Sequence, residues 1–175
     1  MNNNIYVVDE DDNIVGKSTY EEFDYNRDFF RVSTLWVVDM AGQNILIAQR
    51  SLDNWVDAGK WGPSVAGMVD LGESYRDNII KEAGEEIGLS DIDPIELYKI
   101  KIDLPDRHFH NQIYGIRTDW SIEKFVKQDE EVEALKFVNI DELAVDTRLN
   151  PGKYVLEKFA DEVDKLKQAI AEGKI

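Results

Sequence analysis

The sequence predicts an α/β protein in which one mixed sheet is sandwiched by helices. Three observations lead there. Short β-rich runs flank turn-forming residues twice within the first 50 positions; an apolar stripe of helical period follows near 75–87; further strand-like runs then precede a second amphipathic stretch at the end of the chain. With 175 residues and no internal repeat, low-complexity block or linker, the expectation is one domain spanning 1–175.

Residues 5–8 and 14–15 are apolar runs around the turn-forming DEDDN, which reads as a hairpin. The same design recurs on a larger scale at 32–40 and 45–50, β-rich segments around a turn at 41–44, and these are expected to be the central strands. SLDNWVDAGKWGPSVAG, with its Gly, Pro and Trp, reads as an ordered loop. Ser74 with Asp77 three residues later caps a helix that Gly88 ends, and Tyr75, Ile79, Ile80, Ala83 and Ile87 fall on one side of it. DPIELYKIKIDLP, FHNQIYGIRTDW and EALKFVNI are strand candidates, and NIDELAVD begins a short helix with Asn139 or Asp141 near its cap. From Pro151 onward, Val155, Phe159, Val163, Leu166 and Ile170 make one apolar helical face.

Composition excludes several classes of function. The formal charge of −16 repels a polyanion and no basic stripe offsets it, so nucleic acid is not an expected partner. Without cysteine there is no disulfide, no thiolate nucleophile and no sulfur-based zinc site. No apolar run approaches the roughly 20 residues that span a bilayer, and MNNNIYVVDEDD lacks the features of a signal peptide. A cytoplasmic protein without a membrane partner is expected. A small anionic partner remains compatible with the charge, because divalent cations invert the field inside an acidic pocket.

The acidic residues of the first helix carry the chemistry. Glu82, Glu85 and Glu86 lie three and four residues apart, where like charges repel by roughly 0.2–0.5 kcal/mol per pair. Alone, E-x-x-E-E reads as a solvated charged face. Here the carboxylates flank the apolar stripe and so border the core, where they cannot all stay ionised without a cation or a shared proton. Upstream lies a glycine-bearing turn, 67–72, followed by Glu73; Gly67 lets the backbone approach a metal or phosphate closely. Grouped oxygen ligands suit hard cations such as Mg²⁺ or Mn²⁺.

Gly67, five residues, Glu73, seven residues, then KEAGEEIGL resembles the Nudix box, G-x5-E-x7-R-E-U-x-E-E-x-G-U with U aliphatic; Lys81 stands where the family has Arg. The resemblance extends over nearly the whole chain and implies an α/β/α sandwich with a mixed central sheet. It implies a metal-dependent pyrophosphohydrolase acting on a nucleoside diphosphate derivative or nucleoside triphosphate. It makes Glu82, Glu85 and Glu86 ligands of Mg²⁺ or Mn²⁺, assisted by the Gly67 carbonyl, with Glu73 pairing Lys81. Lysine keeps the charge but lacks arginine's planar two-point contact, so looser bracing and lower turnover are expected. Many members form homodimers, which the resemblance allows here.

For the hydrolytic base, KQDEEVEALKFV supplies Glu130 and Glu131 ahead of a strand, alongside Glu85 and Glu86. Arg50, Lys60 and Arg107 are candidate phosphate contacts, and Trp55, Trp61 and Tyr114 candidates to stack on a base. His108 and His110, two apart in a strand, face one side and read as a strand-surface pair. Outside the box the chain is similar to the superfamily branch near isopentenyl-diphosphate isomerase. That enzyme's cysteine before the box glycine and histidine after it are replaced by Ala66 and Met68. Isomerisation, and binding of a nucleotide or a protein with weak or no catalysis as in some Nudix-fold regulators, are the alternatives.

Overall fold

In the computed structural model, which describes residues 4–54, 56–156 and 158–175, the chain opens with the expected antiparallel hairpin, β1 (Asn4–Val8) and β2 (Ile14–Thr19). The Asp9 carboxylate closes its turn by accepting the backbone N–H groups of Asp11 and Asn13, both at 2.9 Å. Then come β3 (Phe29–Asp39), β4 (Asn44–Arg50), β5 (Trp61–Gly62), β6 (Val65–Met68), α1 (Tyr75–Ile87), β7 (Ile95–Leu104), β8 (Arg107–Thr118), β9 (Val132–Asn139), α2 (Ile140–Leu149) and α3 (Phe159–Ala171).

β3 organises the sheet. Along one edge β8 runs parallel to it from Phe29↔His108 to Asp39↔Thr118, with β7 antiparallel beyond. The other edge is divided among three strands: β1 at Phe29, β6 along 32–35 and β4 at Val38. The large hairpin expected from β3 and β4 therefore holds at its turn, and after Val38↔Ile45 the two strands part. β4 takes β5 on that side and β9 on the other.

Ser64, between β5 and β6, fills the gap. Its buried hydroxyl accepts from the Val37 N–H at 2.8 Å and donates to the Leu46 carbonyl at 2.6 Å, so two backbone groups left by the parting strands stay satisfied. The segment read as a loop thus contains two strands, each too short to show a period of two.

Alternation along β3 builds two cores. Leu35 and Val37 pack with Ile79, Ala83 and Ile87 of α1, while Trp36 and Val38 pack with Leu143 of α2 and Phe159, Val163 and Leu166 of α3. The result is the α/β/α sandwich that the sequence predicts. Under the first hairpin a smaller cluster gathers Ile5, Phe23, Phe30 and Phe109. Ser74 and Asp77 form the predicted capping box on α1, and Gly88 ends that helix at φ +70°. Asn139 caps α2.

The final helix differs from expectation at its start. Pro151–Lys153 is a single 3-10 turn and α3 begins at Phe159; Val155 lies before it, its N–H bonded to the Trp61 carbonyl at 3.0 Å. Among the described residues no helix is long and apolar enough to cross a membrane.

Candidate active site

The C-terminus of α1 is tied to the loop before β9. Val126 N–H donates to the Ile87 carbonyl at 3.1 Å and Gln128 N–H to the Glu86 carbonyl at 2.9 Å, satisfying groups that a helix end leaves open. The Gln128 carbonyl accepts from Glu131 and Val132, and Ser51 N–H donates to the Glu131 carbonyl at 2.9 Å. These bonds hold Glu131 beside Glu82 and Glu86, with one carboxylate oxygen of each within 4.8 Å of the others.

Glu86 is buried, Glu82 half-buried and Glu131 exposed. Glu85 and Glu130 are exposed and stand outside this converging group, although the charge of Glu85 still acts on Glu82. The trio is therefore two helix carboxylates and one from the distant loop, where the sequence grouped three from the helix. Burial lifts Glu82 to about 7; Lys81 opposes the shift, and Glu131 and Glu85 add to it. Glu86 is pushed well above the usual carboxylate range by burial, then by the charges of Glu82 and Glu131, against Arg50. An all-oxygen donor set with repelling, partly buried members and one side open to water fits a hard divalent cation.

Gly67 shapes this pocket. A Cβ there would stand 2.5 Å from Glu82 Cδ and 2.6 Å from its Cγ, so the carboxylate lies where a side chain would be. Lys81 meets three carboxylates: Glu73 at 3.0 Å, Asp70 at 3.1 Å and Glu82 at 3.4 Å. Burial alone would lower its ammonium, but the hydrogen bonds to Glu73 and Asp70 and the charge of Glu82 hold it above its ordinary value. Two of these contacts, to Asp70 and Glu73, brace the helix to the preceding loop, while Glu82 is Lys81's neighbour on the helix itself.

Asn78, Asp70 and Tyr20 were not singled out from the sequence. The Asn78 amide donates to the Met68 carbonyl at 2.9 Å and to Glu73 and Glu82, both at 3.1 Å, and its oxygen accepts from Ser33. Tyr20 donates to Asp70 at 2.6 Å. Asn78 precedes Glu82 by one helical turn, the one sequence signal that could have pointed to it.

Arg50 donates to the Val56 carbonyl at 2.9 Å and to Asn54 at 2.8 Å, and its charge acts on Glu86. Lys60 and Arg107 both pair with Asp57. The Trp61 ring lies under Lys136 Nζ at 4.0 Å. Tyr114 is corrected: at 2% exposure it packs in the α1-side core and has no face for a base. Trp55 lies outside the described residues. His108 and His110 do share one side, both against the Phe29 ring; His108 bonds Asp103 and the Asn26 carbonyl, while His110 is buried and bonds the Asp9 carbonyl. Neither belongs to the acidic group.

A mixed sheet between helices carries this acidic group where the first helix meets the β9 loop. The NUDIX domain family matches residues 29–159, and the chain belongs to the Nudix family. The enzyme class read from the box, a Nudix pyrophosphohydrolase, stands with that membership. The chain is similar to a prenyl-diphosphate phosphatase of Methanosarcina mazei, 30% identical over 84% of this chain and 85% of the relative. It is also similar to an isopentenyl-diphosphate Delta-isomerase of Serratia proteamaculans, 23% identical over 89% and 87%. Among solved structures, DR0079 of Deinococcus radiodurans shares the fold with a TM-score of 0.76 and 20% identity, over 93% of this chain and 98% of that one.

Proposed function

We propose that the protein hydrolyses the diphosphate linkage of a nucleoside diphosphate derivative or nucleoside triphosphate, with Mg²⁺ or Mn²⁺ held by Glu82, Glu86 and Glu131. The observation that carries this reading is the convergence of those three carboxylates beside Gly67. Glu85 joins from the solvent edge, and the Gly67 carbonyl assists. A cation bound there would neutralise the diphosphate and acidify the attacking water.

The chain's own residues do the rest. Lys81, Glu73 and Asn78 fix the Glu82 side chain so that little reorganisation accompanies binding. Glu131, exposed and held by backbone bonds on both sides, accepts the proton of the attacking water on the carboxylate oxygen that the cation does not take. Arg50, Lys60 and Arg107 receive phosphate oxygens. Residues 1–175 act as one domain. In support, Ile5 of β1 shares a cluster with Phe30, and Val163 and Leu166 of α3 share one with Trp36, so elements flanking the matched segment enter the same cores.

A second reading replaces the nucleoside by a prenyl chain. It is favoured by the similarity to the prenyl-diphosphate phosphatase. Isomerisation has against it the replacement of the family's cysteine and histidine by Ala66 and Met68.

The test is purified protein with Mg²⁺ or Mn²⁺ and a panel of nucleoside diphosphate derivatives, triphosphates, prenyl diphosphates and isopentenyl diphosphate. Phosphate or nucleotide release that falls about 100-fold or more in Glu82→Gln and Glu86→Gln is expected. Double-bond migration, or tight nucleotide binding without turnover, would replace the hydrolase by the isomerase or the regulator.

A further inference from the structure

Lys60 and Arg107 come from distant parts of the chain yet share one counter-ion. Asp57 accepts from Lys60 Nζ at 2.8 Å and from Arg107 Nη2 at 3.3 Å. Lys60 closes the 51–60 loop and Arg107 opens β8 at the tip of the β7–β8 hairpin, so this one carboxylate fastens loop to hairpin. The loop returns to β4 through Arg50, whose N–H donates to the Lys60 carbonyl at 2.9 Å and whose carbonyl accepts from Gly59 at 3.2 Å. Arg50 is also the cation that acts on Glu86, and Ser51 bonds the Glu131 carbonyl. The loop that carries Asp57 therefore starts and ends beside the acidic group.

The charge balance of this bridge is incomplete in two respects. One carboxylate, Asp57, accepts hydrogen bonds from both cations. Arg107 Nε is buried without a hydrogen-bond partner, the Asp106 carboxylate standing off at 4.0 Å. A terminal phosphate carries more charge and more acceptor oxygens than a carboxylate and can serve all of these donors at once.

We propose that Lys60 and Arg107 form an anion subsite in which Asp57 stands in for phosphate until the substrate's terminal phosphate displaces it. Asp57 then determines specificity. An anion with no more than a carboxylate's charge gains nothing by the exchange, whereas a diphosphate does, and displacement releases the loop from the hairpin. The inference rests on the reading of the site as diphosphate-binding and involves no covalent step.

Isothermal titration of inorganic pyrophosphate into metal-free protein in EDTA tests it. Asn tolerates the left-handed backbone that Asp57 adopts, φ +54°, so Asp57→Asn keeps the loop geometry while removing the charge. Asp57→Asn is expected to bind pyrophosphate about tenfold more tightly than the wild type. That gain is expected to vanish in Asp57→Asn/Lys60→Met and in Asp57→Asn/Arg107→Met. Binding by Asp57→Asn that is unchanged or weaker overturns the proposal, as does a gain that survives loss of either cation. Because the readout needs neither metal nor turnover, a protein inactive on every diphosphate would refute the hydrolase and leave the subsite to be judged on binding.

Discussion

Gly67 has no side chain, and Glu82 occupies the space one would fill. Gly67→Ala must push that carboxylate aside, at a cost of about 1–3 kcal/mol, and shift it within the acidic group. Turnover at limiting Mg²⁺ is expected to fall and to recover partly at high Mg²⁺; wild-type metal dependence in this variant would show that Glu82 does not serve the cation. Lys81 neutralises three carboxylates that would otherwise face one another. Lys81→Met is expected to lower stability by about 1–2 kcal/mol, since the ammonium is partly solvated, and this is read as a reduced urea midpoint. At this scale the sequence was legible in which residues would lie together, since Gly67, Glu73, Lys81, Glu82 and Glu86, grouped by their resemblance to the Nudix box, are neighbours in space. It was not legible for Tyr114, because an aromatic ring in a strand looks the same whether it faces a cleft or a core.

Two elements make further predictions. Ser64 stitches β3 to β4, and Ser64→Ala strands a buried N–H and a buried carbonyl, each costing about 1–3 kcal/mol. A clear drop in melting temperature is expected, and a change under one degree would mean that the gap closes without the hydroxyl. In α3, Glu162 is only 5% exposed. Burial raises its carboxyl to about 7 from an ordinary 4.5, Lys165 opposing and Asp161 adding. The folded state therefore prefers the protonated form. The associated stability is fully present below pH 4.5 and is lost between about 4.5 and 7, a difference of about 3 kcal/mol. Melting at pH 5.5 and pH 8 should show about 2 kcal/mol of this loss in the wild type and a smaller one in Glu162→Gln. Glu162 lies on the apolar side of a helix whose face the sequence located through Phe159, Val163 and Leu166. Its start was misjudged, since the three- and four-residue spacing runs back to Val155 through a segment that Pro151 and the bond to Trp61 hold out of the helix.

For the molecule as a whole, with a charge of −16 and three carboxylates gathered at one point, a divalent cation held as proposed would be a stabilising ligand. At a free concentration 100 times the dissociation constant, Mg²⁺ or Mn²⁺ should add about 2.7 kcal/mol. Thermal melts with and without EDTA should show that gain, and Glu82→Gln/Glu86→Gln should lack it. The sandwich was readable because its helices and long strands carry strong periods. Where the strands join was not, since β3 and β4 look like a simple hairpin and only tertiary structure shows them parting. The parallel pairing of β3 with β8 has its own consequence, because everything from β4 through β7 is synthesised in between. On the ribosome, FFRVSTLWVV waits with one edge uncovered until that later strand emerges, so slow folding and a nascent chain open to aggregation or to capture by a chaperone are expected.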